Sequence, residues 1–272
     1  MITALVLVLL AATLVILVRE AQWHGATKKA VARARAAASR PSVSADLGDV
    51  PEAVRLYLRR AIPSAAPAPR LVRIDSRGEF LAGRWRPFRA AQYFTVRPPA
   101  FVWDARIHLF PGIAILVRDA FVDGRGSMRG AALGAIPVVS AAGAGDIAVA
   151  ALQRYLAEAV WFPLALLPEN GVQWAALERA RARATIVAGD VTASLEFTFA
   201  ADGMVREVFA PERARAVGKR TIPTPWRGRH EEYREMGGLV IPTRAEVEWV
   251  LPEGPQPYWK GEIVEVQHDP AI

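Results

Sequence analysis

The chain contains no cysteine, which excludes disulfides and thiolate metal sites and leaves the compartment open. Its four histidines (24, 108, 230 and 268) are too scattered to supply a metal centre. No nucleophile elbow, phosphate-binding loop or dinucleotide fingerprint is present. The glycines of "GRGSMRG" (124–130) lack the GxSxG pattern and read as a turn. "GKR" (218–220) has no following Ser or Thr, and "RHEEYRE" (229–235) has no second histidine four residues on. No two carboxylates form an evident acid–base couple. The sequence therefore identifies no catalytic residue, and no metal or cofactor is expected.

Lysine is also scarce, at four of 34 basic residues, which with the alanine richness points to coding bias. Six basic residues against Glu20 fall within 19–40, leaving 28 basic and 26 acidic residues elsewhere. The remainder is close to neutral with its charges interleaved, so nucleic acid is not an expected partner despite a pI near 10.2. At 272 residues, 52% of them hydrophobic, the chain is long enough for one sizeable domain.

"ITALVLVLLAATLVILV" (2–18) has only Thr3 and Thr13 as polar residues and spans about 25 Å as a helix. It lacks a basic leader and a small-residue cleavage site, which favours a retained transmembrane anchor (1–19) over a signal peptide. Positive charge lies wholly on its carboxy-terminal side, placing the remainder in the cytoplasm. A large domain can be translocated despite such charges, so a periplasmic location is the alternative. "TKKAVARARAAASR" (27–40) extends the helix along the membrane, with Lys28, Lys29, Arg33 and Arg35 near anionic headgroups. Residues 20–48 thus form a basic juxtamembrane helix and linker, and 49–272 one β-rich soluble domain.

"DVPEAVRLYLRRAI" (49–62) predicts an amphipathic helix, with Asp49 as N-cap and Glu52 completing a capping box. From Arg70 the period becomes two. "FVWDARIHL" (101–109), "VTASLEFTF" (191–199) and "RAEVEWVL" (244–251) alternate apolar and polar side chains, the pattern of antiparallel sheet with one packed face. Gly189-Asp190, Asp202-Gly203 and "MGGL" (236–239) read as turns, and Pro242 marks an edge or bulge. Nine or ten strands are expected between 70 and 266, interrupted by a helix at 146–162. The fold class is α+β, mainly antiparallel: a strongly curved sheet or half-barrel with helices on its concave side.

That second helix carries the candidate site. In "RYLAEAVWFPLALLP" (154–168), together with Leu152 just before it, one face is apolar (Leu152, Tyr155, Leu156, Ala159), while Arg154, Glu158 and Trp161 share the opposite one. Pro163 ends or kinks the helix. Inside a curved sheet the polar side would face either a pocket or a buried structural ion pair. Asp119, in the apolar run "GIAILVRDAFV", needs a cationic partner if buried, and Arg118, Arg125 or Arg154 could serve. Among eight tryptophans, Trp103 and Trp249 take the apolar phase of strands. Trp85, Trp161, Trp226 and Trp259 lie near prolines or element ends and suit a cavity mouth or a membrane interface, with core packing as the default. The candidate ligand-binding residues are Arg154, Glu158, Trp161, Asp119, Trp103 and Trp226.

"WRPFRAAQYFTVRPPAFVWDA" (85–105), "RYLAEAVWFP" (154–163), "TPWRG" (224–228) and "PYWKGEI" (257–263), in this order, resemble an uncharacterised bacterial family of membrane-anchored proteins known by a domain-of-unknown-function label. The resemblance spans about 46–266 and brings no activity or catalytic residues with it. The expected architecture is similar to half-barrel carriers of lipoproteins and lipids, which implies the periplasmic side. The resulting expectation is a non-enzymatic, membrane-anchored domain binding an apolar or lipidic ligand in the concavity. The alternatives are a scaffold or assembly factor of a membrane complex docking by a sheet edge, and an enzyme using acids such as Asp119 and Glu158.

Overall fold

A computed structural model describes residues 2–43, 47–178, 180–218 and 220–272, the side chains of Ile2, Val8, Leu9 and Ala12 excepted. After helices α1 (Ile2–Ala37) and α2 (Glu52–Ala61) come six strands: β1 (Val72–Ala82), β2 (Arg84–Thr95), β3 (Ala100–Phe110), β4 (Ile113–Val122), β5 (Arg125–Ala132) and β6 (Ile136–Gly143). Helix α3 (Asp146–Glu158) and three 3-10 turns reaching Asn170 follow. Seven more strands complete the chain: β7 (Val172–Ala176), β8 (Arg181–Ala188), β9 (Val191–Phe199), β10 (Val205–Val217), β11 (Arg220–Met236), β12 (Leu239–Leu251) and β13 (Gly254–His268).

All thirteen strands form one antiparallel sheet in the order β6-β5-β4-β3-β2-β1-β13-β12-β11-β10-β9-β8-β7. Each half is a meander of sequence neighbours, and pairing of β1 with β13 joins them. The chain passes from one sheet edge (β6) to the other (β7) through α3. That helix packs against β4, β5 and β6 on one arm and β8, β9 and β10 on the other, so the sheet wraps around it. The arms curl towards each other: a Cβ on Gly124, in the β4–β5 turn, would lie 3.7 Å from the Ala188 carbonyl oxygen at the end of β8.

Period-two patterning fixes which side chains point inward. On β9 the residues Val191, Ala193, Leu195, Phe197 and Phe199 are all buried, each separated by a more exposed neighbour. The strand count exceeds the nine or ten expected because three strands lack that signature. "RGSMRGAA" is β5 and not a turn, β6 is an exposed edge of small and apolar residues, and β7 has five residues. Gly126 of β5 serves packing: a Cβ there would meet the Ile147 carbonyl oxygen at 2.5 Å, so glycine lets α3 approach the strand.

The helices depart from expectation at their ends. Pro51, not Asp49, occupies the N-cap of α2, and no side chain caps it. Arg55 instead donates to the Gly48 carbonyl at 2.9 Å, while Val54, Tyr57, Leu58 and Ala61 are buried as their spacing predicts. α3 ends at Glu158, short of the expected 162; one 3-10 turn carries the chain to Trp161, and Phe162 leaves helical geometry ahead of Pro163. Pro242 sits on the interior strand β12, opposite Tyr233 of β11 and just past the last pair with β13 (Arg244 with Glu262), not on an edge strand.

The Ala- and Arg-rich stretch does prolong α1, and its second half packs on the outer face of β2, β3 and β4. Val31 joins Leu71, Val102 and Ala120 in a small second core. Trp23 donates to Asp104 at 2.9 Å beneath the Arg118 guanidinium, 4.8 Å from the ring centroid. Glu20 pairs with Arg106 at 3.2 Å, and Arg33 with Asp123. This cover explains why "GIAILVRDAFV" is apolar in both phases: Leu116 and Ala120 face outward yet are buried. Lys28 and Lys29 remain exposed, and Arg35 donates to the Pro270 carbonyl.

The first half of α1 projects without cover, with Leu5, Leu7, Leu10 and Leu14 each more than 60% exposed. Among the described residues no helix is long and apolar enough to cross a membrane. The expected span of 2–18 includes Ile2, Val8, Leu9 and Ala12, whose side chains lie outside the described residues.

Candidate functional site

Between the carboxy-terminal end of α3 and the inner sheet face lies a cavity of about 280 Å³. All six candidate residues line it: Trp103 from β3, Asp119 from β4, Arg154 and Glu158 from α3, Trp161 from the following turn and Trp226 from β11. Larger depressions on the outer face are lined mainly by paired charges such as Arg77 with Glu262 and Lys260 with Glu79. The cavity beside α3 is where apolar and aromatic side chains converge with a few polar groups, the usual composition of a ligand site.

Its polar floor is built around Arg154. The guanidinium bonds Asp119 at 2.7 Å and Glu158 at 2.9 Å, and Gln92 of β2 donates to the second Glu158 oxygen at 2.6 Å. Side-chain exposures of 15%, 13% and 13% for Arg154, Asp119 and Glu158 exclude a solvated surface pair. The guanidinium also lies 4.7 Å from the Trp103 ring centroid and 5.2 Å from that of Phe101. Burial alone would lower the Arg154 pKa; the Glu158 and Asp119 carboxylates outweigh it and hold the group above its ordinary value. Burial pushes the Glu158 carboxyl up, with Arg154 and Gln92 pulling back. Of the three arginines considered for Asp119, the structure selects Arg154; Arg118 faces outward to α1.

Above the floor, three polar atoms have no hydrogen-bond partner among the described residues: Trp161 Nε1, His230 Nδ1 and Arg213 Nη1. All three side chains line the cavity. Trp161 is 4% exposed, and its ring meets those of Trp259 at 6.3 Å and His230 at 6.4 Å. Burial lowers the His230 pKa to about 3, so the imidazole is neutral near pH 7. Arg213 stacks on Trp226 at 4.8 Å, and Trp226 Nε1 donates to the Tyr258 hydroxyl at 2.8 Å. Burial lowers the Arg213 pKa, opposed by Tyr258 and the carboxylates of Asp119 and Glu158. An orphaned buried polar atom costs about 1–3 kcal/mol, and two of these, Trp161 Nε1 and Arg213 Nη1, are donors that call for an acceptor at the site.

The tryptophans divide by position. Trp103, Trp161, Trp226 and Trp259 surround the cavity, whereas Trp85 lies on the outer face with Lys260 4.6 Å from its ring centroid. Trp249 stacks on Tyr258. Sequence reading missed Gln92, Arg213 and His230. His230 shares the phase of Trp226 and Gly228, and Gln92 that of Phe88 and Phe94, so a polar residue in an apolar phase was the available signal. Arg213 had none, because a bulge after Ala210 resets the phase of β10. Among the described residues no group of three or more metal-ligating side chains occurs.

No curated protein matches the chain. A crystal structure of a LolA superfamily protein from Nitrosomonas europaea aligns at 10% identity over 81% of this chain and 92% of that one, with a TM-score of 0.36. A DUF1329 family protein from Desulfovibrio piger aligns at 10% identity over 81% and 93%, with a TM-score of 0.43. The model of a family of unknown function, DUF6920, matches residues 48–268, which is the entire sheet with α2 and α3, and the chain belongs to that family.

Proposed function

We propose that this protein is a membrane-tethered binding domain that holds an apolar or lipidic ligand, bearing a hydrogen-bond-accepting group, in the cavity beside α3. The observation that carries this reading is the pairing of an apolar, aromatic-walled space of about 280 Å³ with three orphaned polar atoms on its wall. Protein interiors are close-packed, and a dry cavity of about 150 Å³ already takes up benzene. A space this size suits a short stretch of acyl chain or a small ring system. Its ester, amide or carboxyl oxygen would satisfy Trp161 Nε1 and Arg213 Nη1, which the paired Arg154 cannot do.

The tether is residues 2–18 of α1. Uncovered leucines along that half support a helix meant for lipid, since a contiguous apolar surface of this extent is unstable in water. The exposed Lys28 and Lys29 are the cations best placed to approach anionic headgroups, because Arg33 and Arg35 have partners on the body. The charge bias of the sequence supports the cytoplasmic side for the domain, with the periplasmic side as the alternative.

Native mass spectrometry of the full chain released from detergent micelles tests the reading, with Ala245→Phe as control. Ala245 lines the cavity from β12, and a phenylalanine there fills it. The expected result is a co-purified lipid adduct on the wild type that is lost from the variant. Equal adducts on both proteins, or none on either, would overturn the proposal.

A further inference from the structure

The cavity has a direction. Its innermost lining includes Trp161 and Trp103, 4% and 3% exposed, whereas Val138 at the start of β6 is 57% exposed. Phe80 and Ala82 at the end of β1 and Ile115 at the start of β4 line the same outer part. These positions cluster where the β1–β2, β3–β4 and β5–β6 turns lie, so the cavity opens at that end of the sheet.

The bare half of α1 leaves the body at this same end. Glu20 pairs with Arg106 near the end of β3, and a Cβ on Gly134 in the β5–β6 turn would lie 3.3 Å from the Glu20 backbone nitrogen. Further along, α1 reaches Asp123 in the β4–β5 turn and Ser39 meets Arg97, both at the opposite end. Residues before Glu20 therefore run past the β3–β4 and β5–β6 turns, and those turns carry exposed apolar side chains of their own. Phe110 is 55% exposed, Ile113 41% and Ile136 62%. The guanidinium groups of Arg84 and Arg86 lie 5.9 and 5.1 Å from the Phe110 ring centroid, an aromatic–cation pairing suited to a headgroup layer.

We infer that the β3–β4 and β5–β6 turns insert into the lipid interface beside α1, and that the cavity opens onto the bilayer, so its ligand enters from lipid. The occupant of this apolar end is a lipid bilayer, because the patch is continuous with the uncovered leucines of α1. The inference rests on the reading of α1 as an anchor and specifies where the cavity of the proposed binding domain faces. A helix reaching its last bare turn at Val18 before meeting the body at Glu20 leaves too short a spacer to hold these turns far from the membrane.

The absence of cysteine makes the test direct. Full-length Leu10→Cys, Ile113→Cys, Val138→Cys and Leu56→Cys variants are each labelled with an environment-sensitive fluorophore. They are reconstituted into vesicles of phosphatidylethanolamine and phosphatidylglycerol. All four positions are exposed, so the labels leave the core intact. The inference expects blue-shifted emission and quenching by nitroxide-bearing lipid at positions 10, 113 and 138. Position 56, on α2, should be quenched by aqueous iodide instead. Lipid quenching at 10 with iodide quenching at 113 and 138 overturns the inference and leaves the anchor standing. Iodide quenching at position 10 removes the anchor and the inference with it.

Discussion

Arg154 of α3 reaches Asp119 of β4 at 2.7 Å, tying the helix to the sheet at the floor of the cavity. With Glu158 at 2.9 Å the guanidinium faces two buried carboxylates. Arg154→Ala leaves both without a cation and should cost about 3–5 kcal/mol, whereas Arg154→Met combined with Asp119→Leu and Glu158→Leu should recover most of the loss. Urea denaturation of the full chain in detergent measures both. Equal destabilisation of the single and triple variants would contradict the account.

His230 sets a pH dependence. Its folded pKa of about 3 lies below the ordinary 6.5, so the unfolded chain binds the extra proton between these values. This contribution to stability is intact above pH 6.5 and falls with acidification towards pH 3. Between pH 6.5 and 5 the loss amounts to about 2 kcal/mol. In His230→Phe that part of the acid sensitivity should vanish, as thermal melts at the two pH values would register.

Gly126→Ala places a methyl group against the Ile147 carbonyl oxygen, 2.5 Å away. Backbone cannot yield as a side chain does, so the substitution should cost about 1–3 kcal/mol. Gly25→Ala, with nothing within 4 Å on helix α1, should instead stabilise by up to about 1 kcal/mol. A matched pair of melting temperatures decides both signs.

Trp23 fastens α1 to the sheet through Asp104 and Arg118. Trp23→Ala removes a charge-assisted hydrogen bond and a stacked cation, together about 2–4 kcal/mol of docking. Trypsin should then cut faster after Lys28 and Lys29, with the sheet still resistant. Unchanged cleavage would mean that Val31 and its neighbours hold the helix without it.

Strands announced themselves where apolar and polar side chains alternate, as in β3, β9 and β12. In β5 the phase of Met128 is diluted by Gly126 and Gly130, and in β6 both phases are mostly apolar, so periodicity carries little signal. The polar side of α3 was legible because Arg154, Glu158 and Trp161 stand together on one helical face, and Asp119 because a lone acid interrupts an apolar run. That these four meet depends on the curl of the sheet and on pairing of β1 with β13 across almost 190 residues. Spacing along the chain contains no record of that closure. The cap of α2 failed for a local reason: Pro51 takes the N-cap position, two residues after Asp49, and no side chain caps the first turn.

Four tryptophans, 103, 161, 226 and 259, surround the cavity, so ligand entry can be read from their fluorescence. Titration of the full chain with a brominated fatty acid should quench emission to saturation in the wild type. In Ala245→Phe that saturable phase should be absent. Linear, non-saturating quenching that is the same in both proteins would contradict a ligand-binding cavity beside α3.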